Sequence, residues 1–214
     1  MQPQLAAARD LPEELALPLA SGAAWWYWLG GRPAIDLVNT LRERWRRRVE
    51  TLVTPDDLGL WLVRARLLPA PQRVTRARLG EARELREAID RCVQAALARD
   101  AAPHAAVTVI DGWLAHAGAR PAFAVAADGT PVLGELASAD AVRHALGTIA
   151  LDAAKMLGLE SQRERVRICA SETCSARFYD RSPAGARRWC SMQRCGNVAK
   201  ARRHRSRQRA EAVA

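Results

Sequence analysis

Cys169-Ala170-Ser171-Glu172-Thr173-Cys174 and Cys190-Ser191-Met192-Gln193-Arg194-Cys195 are two Cys-x4-Cys pairs separated by fifteen residues. Each short loop can present two sulfurs to one ion, and the stretch between them can fold back as a hairpin that joins the pairs. Zinc takes four such thiolates at tetrahedral corners, about 2.3 Å from the metal. An iron–sulfur centre uses the same ligand set and is the rival occupant. Zinc is favoured because the segment is too small and too exposed to shelter a redox cluster. Four protein ligands leave no open coordination position, so the ion is expected to be structural and not catalytic.

Four of the five cysteines of this 214-residue chain lie in that segment, and Cys92 stands alone. An odd number of thiols, with no secretory pattern at the start, reads as a reducing, cytoplasmic setting and not as a disulfide framework. No run nears the roughly 18 consecutive apolar residues of a membrane helix. The chain is 49% hydrophobic, enough to build a core. Its net charge of +10 falls wholly in the last 52 residues, which hold 14 basic and 4 acidic side chains, while residues 1–162 balance at 19 of each. That boundary predicts two functional parts, the C-terminal one facing a polyanion.

Residues 1–22 contain three prolines and no periodicity, so a loosely ordered arm is expected. Trp25 to Leu29 form an extended aromatic run that enters a turn at Gly30-Gly31. Pro33 suits the first turn of a helix, along which Ala34, Leu37, Val38, Leu41 and Trp45 keep helical spacing, with Arg42, Glu43, Arg46 and Arg47 opposite. Thr54-Pro55-Asp56-Asp57 is a helix start. Leu79, Ala82, Leu85, Ile89, Val93 and Leu97 predict a long helix over 75–99, and a further helix spans 105–117. Asp128-Gly129 between two apolar stretches signals a hairpin, after which Ser138 caps a helix stopped by Gly158. The fold class is therefore mainly α: a helical N-terminal domain over 23–160 with one small β-hairpin, then a four-cysteine module over 165–209 ending in a basic helix.

Phe178, Tyr179 and Trp189 between the cysteine pairs form either a miniature core or a base-stacking platform, and packing is the better reading. Asp180 pairs with an arginine or caps the turn at Ser182-Pro183. After Gly196-Asn197, Lys200, Arg202, Arg203, Arg205, Arg207 and Arg209 crowd one helix. Together with Arg187 and Arg188 they are the candidate nucleic-acid contacts. Like charges at these spacings repel until phosphates neutralise them, so duplex DNA is the expected partner. Structured RNA, an acidic protein partner and a merely solvated tail are the alternatives. A small module reads few bases alone, which makes a homodimer plausible.

Asp36, Asn39 and Thr40 sit three and four apart near the aromatic run. They form a candidate pocket for a small-molecule effector, or else satisfy backbone groups where helix meets turn, which is the favoured reading. No enzyme is expected: His104, His116, His144 and His204 are scattered, and no nucleophile–base pair stands out.

The stretch from Cys169 to Arg205, with Arg188-Trp189-Cys190-Ser191-Met192 and Cys195-Gly196-Asn197 followed by Lys200, resembles the CGNR zinc finger family. Gly30-Gly31-Arg32-Pro33-Ala34-Ile35-Asp36-Leu37-Val38-Asn39-Thr40, Thr54 to Leu58 and Trp61 resemble the ABATE domain of stress-induced transcription regulators. The resemblance implies a mainly helical N-terminal domain, a four-cysteine zinc finger and a transcription-regulatory role. The family's namesake arginine after Cys-Gly-Asn is Val198 here, so phosphate contact would fall to Arg202, Arg203 or Arg205.

Overall fold

The computed structural model describes residues 26–118, 120–136 and 139–211, so the expected arm over 1–22 and Trp25 lie outside the described residues. Pro33 opens α1 (Pro33–Val38), which buries Ala34, Ile35, Leu37 and Val38. The apolar spacing predicts that this helix continues to Trp45, but it ends with Asn39 as its C-cap. Five of the seven residues from Arg42 to Arg48 are arginines, and like charges at helical spacing oppose continuation. The chain instead reverses through β1 (Leu41–Arg42) and β2 (Val49–Glu50), an antiparallel pair. Glu43 and Arg48 take left-handed φ values of 48° and 52° at the two ends of the connecting loop. Trp45, expected on the buried face, is 50% exposed.

Thr54 caps α2 (Pro55–Arg64) as its sequence predicts. Its hydroxyl accepts from Asp57 N at 3.3 Å, while the Asp57 carboxylate accepts from Thr54 N at 2.7 Å. This reciprocal box satisfies two N–H groups that the helix cannot. Thr54→Ala is expected to cost about 1 kcal/mol, read as a lower denaturant midpoint at unchanged slope. An unchanged midpoint would show the box to be ornamental.

The long helix α3 (Arg76–Ala98) is the centre of the fold, with Leu79, Ala82, Leu85, Ile89 and Val93 buried along its stripe. Helix α4 (His104–Leu114) follows, and then the hairpin β3 (Arg120–Val125) and β4 (Pro131–Leu136), in register with Phe123 opposite Leu133. Phe123 and Leu133 are 79% and 76% exposed, so the hairpin stands off the core. Helix α5 (Ala141–Gly158) is capped by Asp140, whose side chain accepts from Arg143 N at 2.8 Å. Ser138, the expected cap, lies outside the described residues. Gly158 is the last helical residue, and the chain turns extended at Leu159.

Helices α1 to α5 enclose one core in which Trp61, Leu85, Ile89, Leu146, Ile149 and Met156 are wholly buried. Trp28 stacks on Trp61 with ring centroids 5.7 Å apart. Cys92 belongs to this core, and burial pushes its thiol above the ordinary range. A short α6 (Glu160–Arg163) leads to β5 (Val166–Ile168), which pairs antiparallel with β6 (Arg177–Tyr179). A π-helical turn, Met192–Gly196, then feeds α7 (Asn197–Glu211). The described residues thus hold seven helices and three two-stranded pairs, two more than the single hairpin expected. No described helix is long and apolar enough to cross a membrane.

Candidate functional site

Cys169 leaves the end of β5, and its N–H donates to Ala176 O at 2.9 Å, extending the β5–β6 pair by one step. Cys174 closes a tight turn by donating to Ser171 O at 3.0 Å. The second pair is brought in by Ala170 N donating to Arg188 O at 2.8 Å, and by the turn in which Cys195 N donates to Ser191 O at 3.0 Å. All four sulfurs lie within 4.8 Å of one another. Cys174 Sγ is 3.8 Å from Cys190 Sγ, which is 3.7 Å from Cys195 Sγ. Four sulfurs about 2.3 Å from one tetrahedral ion sit about 3.8 Å apart, so the separations fit a single ion. A cluster of several irons would spread its thiolates much further.

The small core around this site is Phe178, wholly buried, with Cys169, Ala176 and Cys190, against which Leu29 and Trp189 pack. Phe178 is therefore packing, as expected. Tyr179 turns the other way and packs on the main helical core with Val166. Asp180 is fully buried, which would raise its pKa; the backbone N–H groups of Arg187 (2.8 Å) and Ser182 (2.9 Å) hold it below the usual carboxylate range. It caps the turn at Ser182.

The module is fastened to the helical domain by contacts between residues far apart in the chain. The Asn39 side chain pairs with the backbone of Arg177, donating to its O at 2.9 Å and accepting from its N at 2.9 Å. Tyr179 N donates to Gly30 O at 2.7 Å, and Arg181 bonds Gly31 O where Gly31 takes a φ of 76°. Arg44 N donates to Ser175 Oγ at 2.9 Å. At the centre of the seam, Arg177 Nε lies 2.7 Å from Asp90 Oδ1, and Arg44 Nη1 lies 3.2 Å from Asp90 Oδ2. Arg177 and Asp90 are 2% and 3% exposed. The signal was a pair of charged residues, Arg86 and Asp90, among the buried positions of α3, which local periodicity treats as noise.

Asp36, Asn39 and Thr40 each hydrogen-bond to backbone groups, and Asn39 also lines a groove beside the cysteine module. Asp36 accepts from Gly30 N at 2.8 Å; burial pushes its carboxyl up to about 7, helped by Asp152 and opposed by the Gly30 N–H. Asn39 serves the seam, and the Thr40 hydroxyl donates to Leu37 O at 2.6 Å. Asp36 thus satisfies the Gly30–Gly31 turn beside its helix, whereas Asn39 satisfies backbone 138 residues away.

Lys200, Arg202, Arg203 and Arg205 are exposed on α7, which has no apolar stripe. Arg207 and Arg209 lie on the same helix. Arg187 is partly spent on the module itself, donating to Cys190 O at 2.8 Å across the Phe178 ring. Arg188 is exposed over Trp189. Val198, at the position of the family's namesake arginine, is exposed on the first turn of α7.

With this geometry in place, comparison with protein families identifies the ABATE family, described as "Putative stress-induced transcription regulator", over residues 31–160, and the CGNR zinc finger over residues 165–208. Comparison with curated proteins finds no match. The match over more than half of its length makes this chain a member of the ABATE family, with a CGNR zinc finger on its C-terminal side.

Proposed function

We propose that this protein is a transcription regulator that binds duplex DNA through α7, held in place by a structural zinc at Cys169, Cys174, Cys190 and Cys195. The observation that carries the reading is electrostatic. Lys200, Arg202, Arg203 and Arg205 stand in solvent at helical spacing, and none makes an ion pair among the described residues. Neighbouring like charges cost a few tenths of a kcal/mol each on a helix, and a phosphate backbone supplies the missing counter-charge. Zinc fits the four-thiolate donor set and the single-ion spacing, and its role there is to hold the fold. A reducing, cytoplasmic location suits four thiols kept free for a metal. The helical domain is a scaffold or sensor; no effector site is assigned to Asp36, Asn39 or Thr40. No catalytic role is assigned to any residue.

Binding to duplex DNA is expected to weaken steeply with salt, with a log–log slope near −5 for roughly six phosphate contacts. Arg202→Ala, Arg203→Ala and Arg205→Ala together are expected to flatten that slope by about 2 to 3. An unchanged slope would remove α7 from the contact surface. Tighter binding to structured RNA at matched salt would favour an RNA-binding role instead.

A further inference from the structure

A groove of about 250 Å³ runs between the β1–β2 loop of the helical domain and the start of α7. Arg42, Arg46 and Arg47 line one bank, Arg194 and Arg202 line the other, and Glu43 is the acid among them. The hydroxyl residues Ser171 and Thr173, on the first cysteine loop, also line it. Tyr27 organises the cations: the guanidinium carbons of Arg42 and Arg194 lie 3.4 and 4.0 Å from its ring centroid. Arg46 is 45% exposed and 3.9 Å from Glu43, a loose pair. Five guanidinium groups line it against one carboxylate, paired with Arg47 at 2.6 Å, and the sulfurs of Cys174, Cys190 and Cys195, whose charge a bound ion partly offsets. The groove stays net positive and focuses that potential. Guanidinium and hydroxyl donors side by side are the groups that grip phosphate oxygens.

Counted along the chain, residues 1–162 carry no net charge and offer no obvious polyanion site. Folding changes that, because the Arg42–Arg48 loop docks beside the cysteine module through Arg44 and Ser175 and through Trp45 and Glu172. We propose that the groove is the second half of the DNA-binding surface: the β1–β2 loop holds the phosphate backbone alongside α7, with Arg202 common to both. This rests on the DNA-binding reading of α7 and extends it to the helical domain. It also supplies arginines near the place where Val198 stands instead of the family arginine.

The test is a salt titration of the full-length, metal-loaded protein on a random-sequence DNA duplex. Arg46→Ala is expected to weaken binding about fivefold and lower the slope by about one, and Arg46→Glu to weaken it more than tenfold. Arg46 is exposed, so neither variant threatens folding. Arg91→Ala, an exposed guanidinium on α3 outside the groove, matches the charge change and is expected to leave both quantities unchanged. Equal effects of Arg91→Ala and Arg46→Ala would overturn the proposal by reducing it to net charge. An unchanged slope for Arg46→Ala beside a flattened one for the α7 triple variant would overturn the groove and leave the α7 reading standing. No duplex binding by the unmodified protein, or equal affinity for polyglutamate at matched salt, would overturn both.

Discussion

Withdrawal of the metal by a chelator, or Cys174→Ser, is expected to unfold residues 186–211 while the helical domain and the β5–β6 pair persist. The cysteine module has one large apolar side chain fully buried in its own core, Phe178. Its burial contributes about 2–3 kcal/mol. Four thiolate–metal bonds contribute about 10 kcal/mol or more, so the ion decides whether the second cysteine pair is held. Helix α7 has no apolar stripe, and none of its described residues is buried, so it adds little packing of its own. The β5–β6 pair is different, because Val166 and Tyr179 belong to the main core and the Arg177 backbone is held by Asn39. Hydrogen exchange separates the two halves. Amides of Ala170, Cys195 and Gly196, bonded only within the module, are expected to lose protection on metal removal. Amides of Arg177 and Tyr179, bonded to Asn39 and Gly30, are expected to keep it. Unchanged protection at Cys195 and Gly196 in metal-free protein would show that the ion is not what holds the module.

Asp90→Ala is expected to destabilise the whole chain by about 3–5 kcal/mol and to loosen the seam between the two parts. Asp90 is the shared counter-charge of Arg177 and Arg44, whose side chains are 3% and 7% exposed. Removing it leaves the buried Arg177 guanidinium without its carboxylate, facing Arg44, which keeps Glu87 at 2.7 Å. Burial and Arg44 already push Arg177 below the ordinary arginine range, with Asp90 opposing them. The loss therefore measures an abandoned charge and not the worth of the pair. Asp90→Ala combined with Arg177→Met should recover part of it, since an apolar replacement no longer needs a partner. Equilibrium denaturation reads both variants, and a cost below about 1 kcal/mol for Asp90→Ala would mean that these arginines reach water in solution.

Much of this protein was legible before any coordinates, and what was legible is local. Two Cys-x4-Cys pairs bring four sulfurs together because short loops leave them little choice, and the sulfurs do converge. The stripe from Leu79 to Val93, the Thr54–Asp57 box and the Asp128-Gly129 hairpin all rest on interactions within a few residues. What misled was also local: apolar spacing carried α1 on to Trp45, although the fold ends it at Val38 and uses Asn39 to hold Arg177.

Primary structure alone determined the clustering of the four cysteines, the helical character and the cationic last helix, because spacing, periodicity and charge act between neighbours along the chain. Tertiary structure settled the rest. It placed half of the zinc module on the helical core, spent Asn39 and Asp90 on a seam to Arg177, and set the Arg42–Arg48 loop beside α7. The bonds of Asp90 and Asn39 to Arg177 join residues 87 and 138 positions apart. Their stability comes from burying charge and polar groups against partners that exist only once the chain has closed on itself.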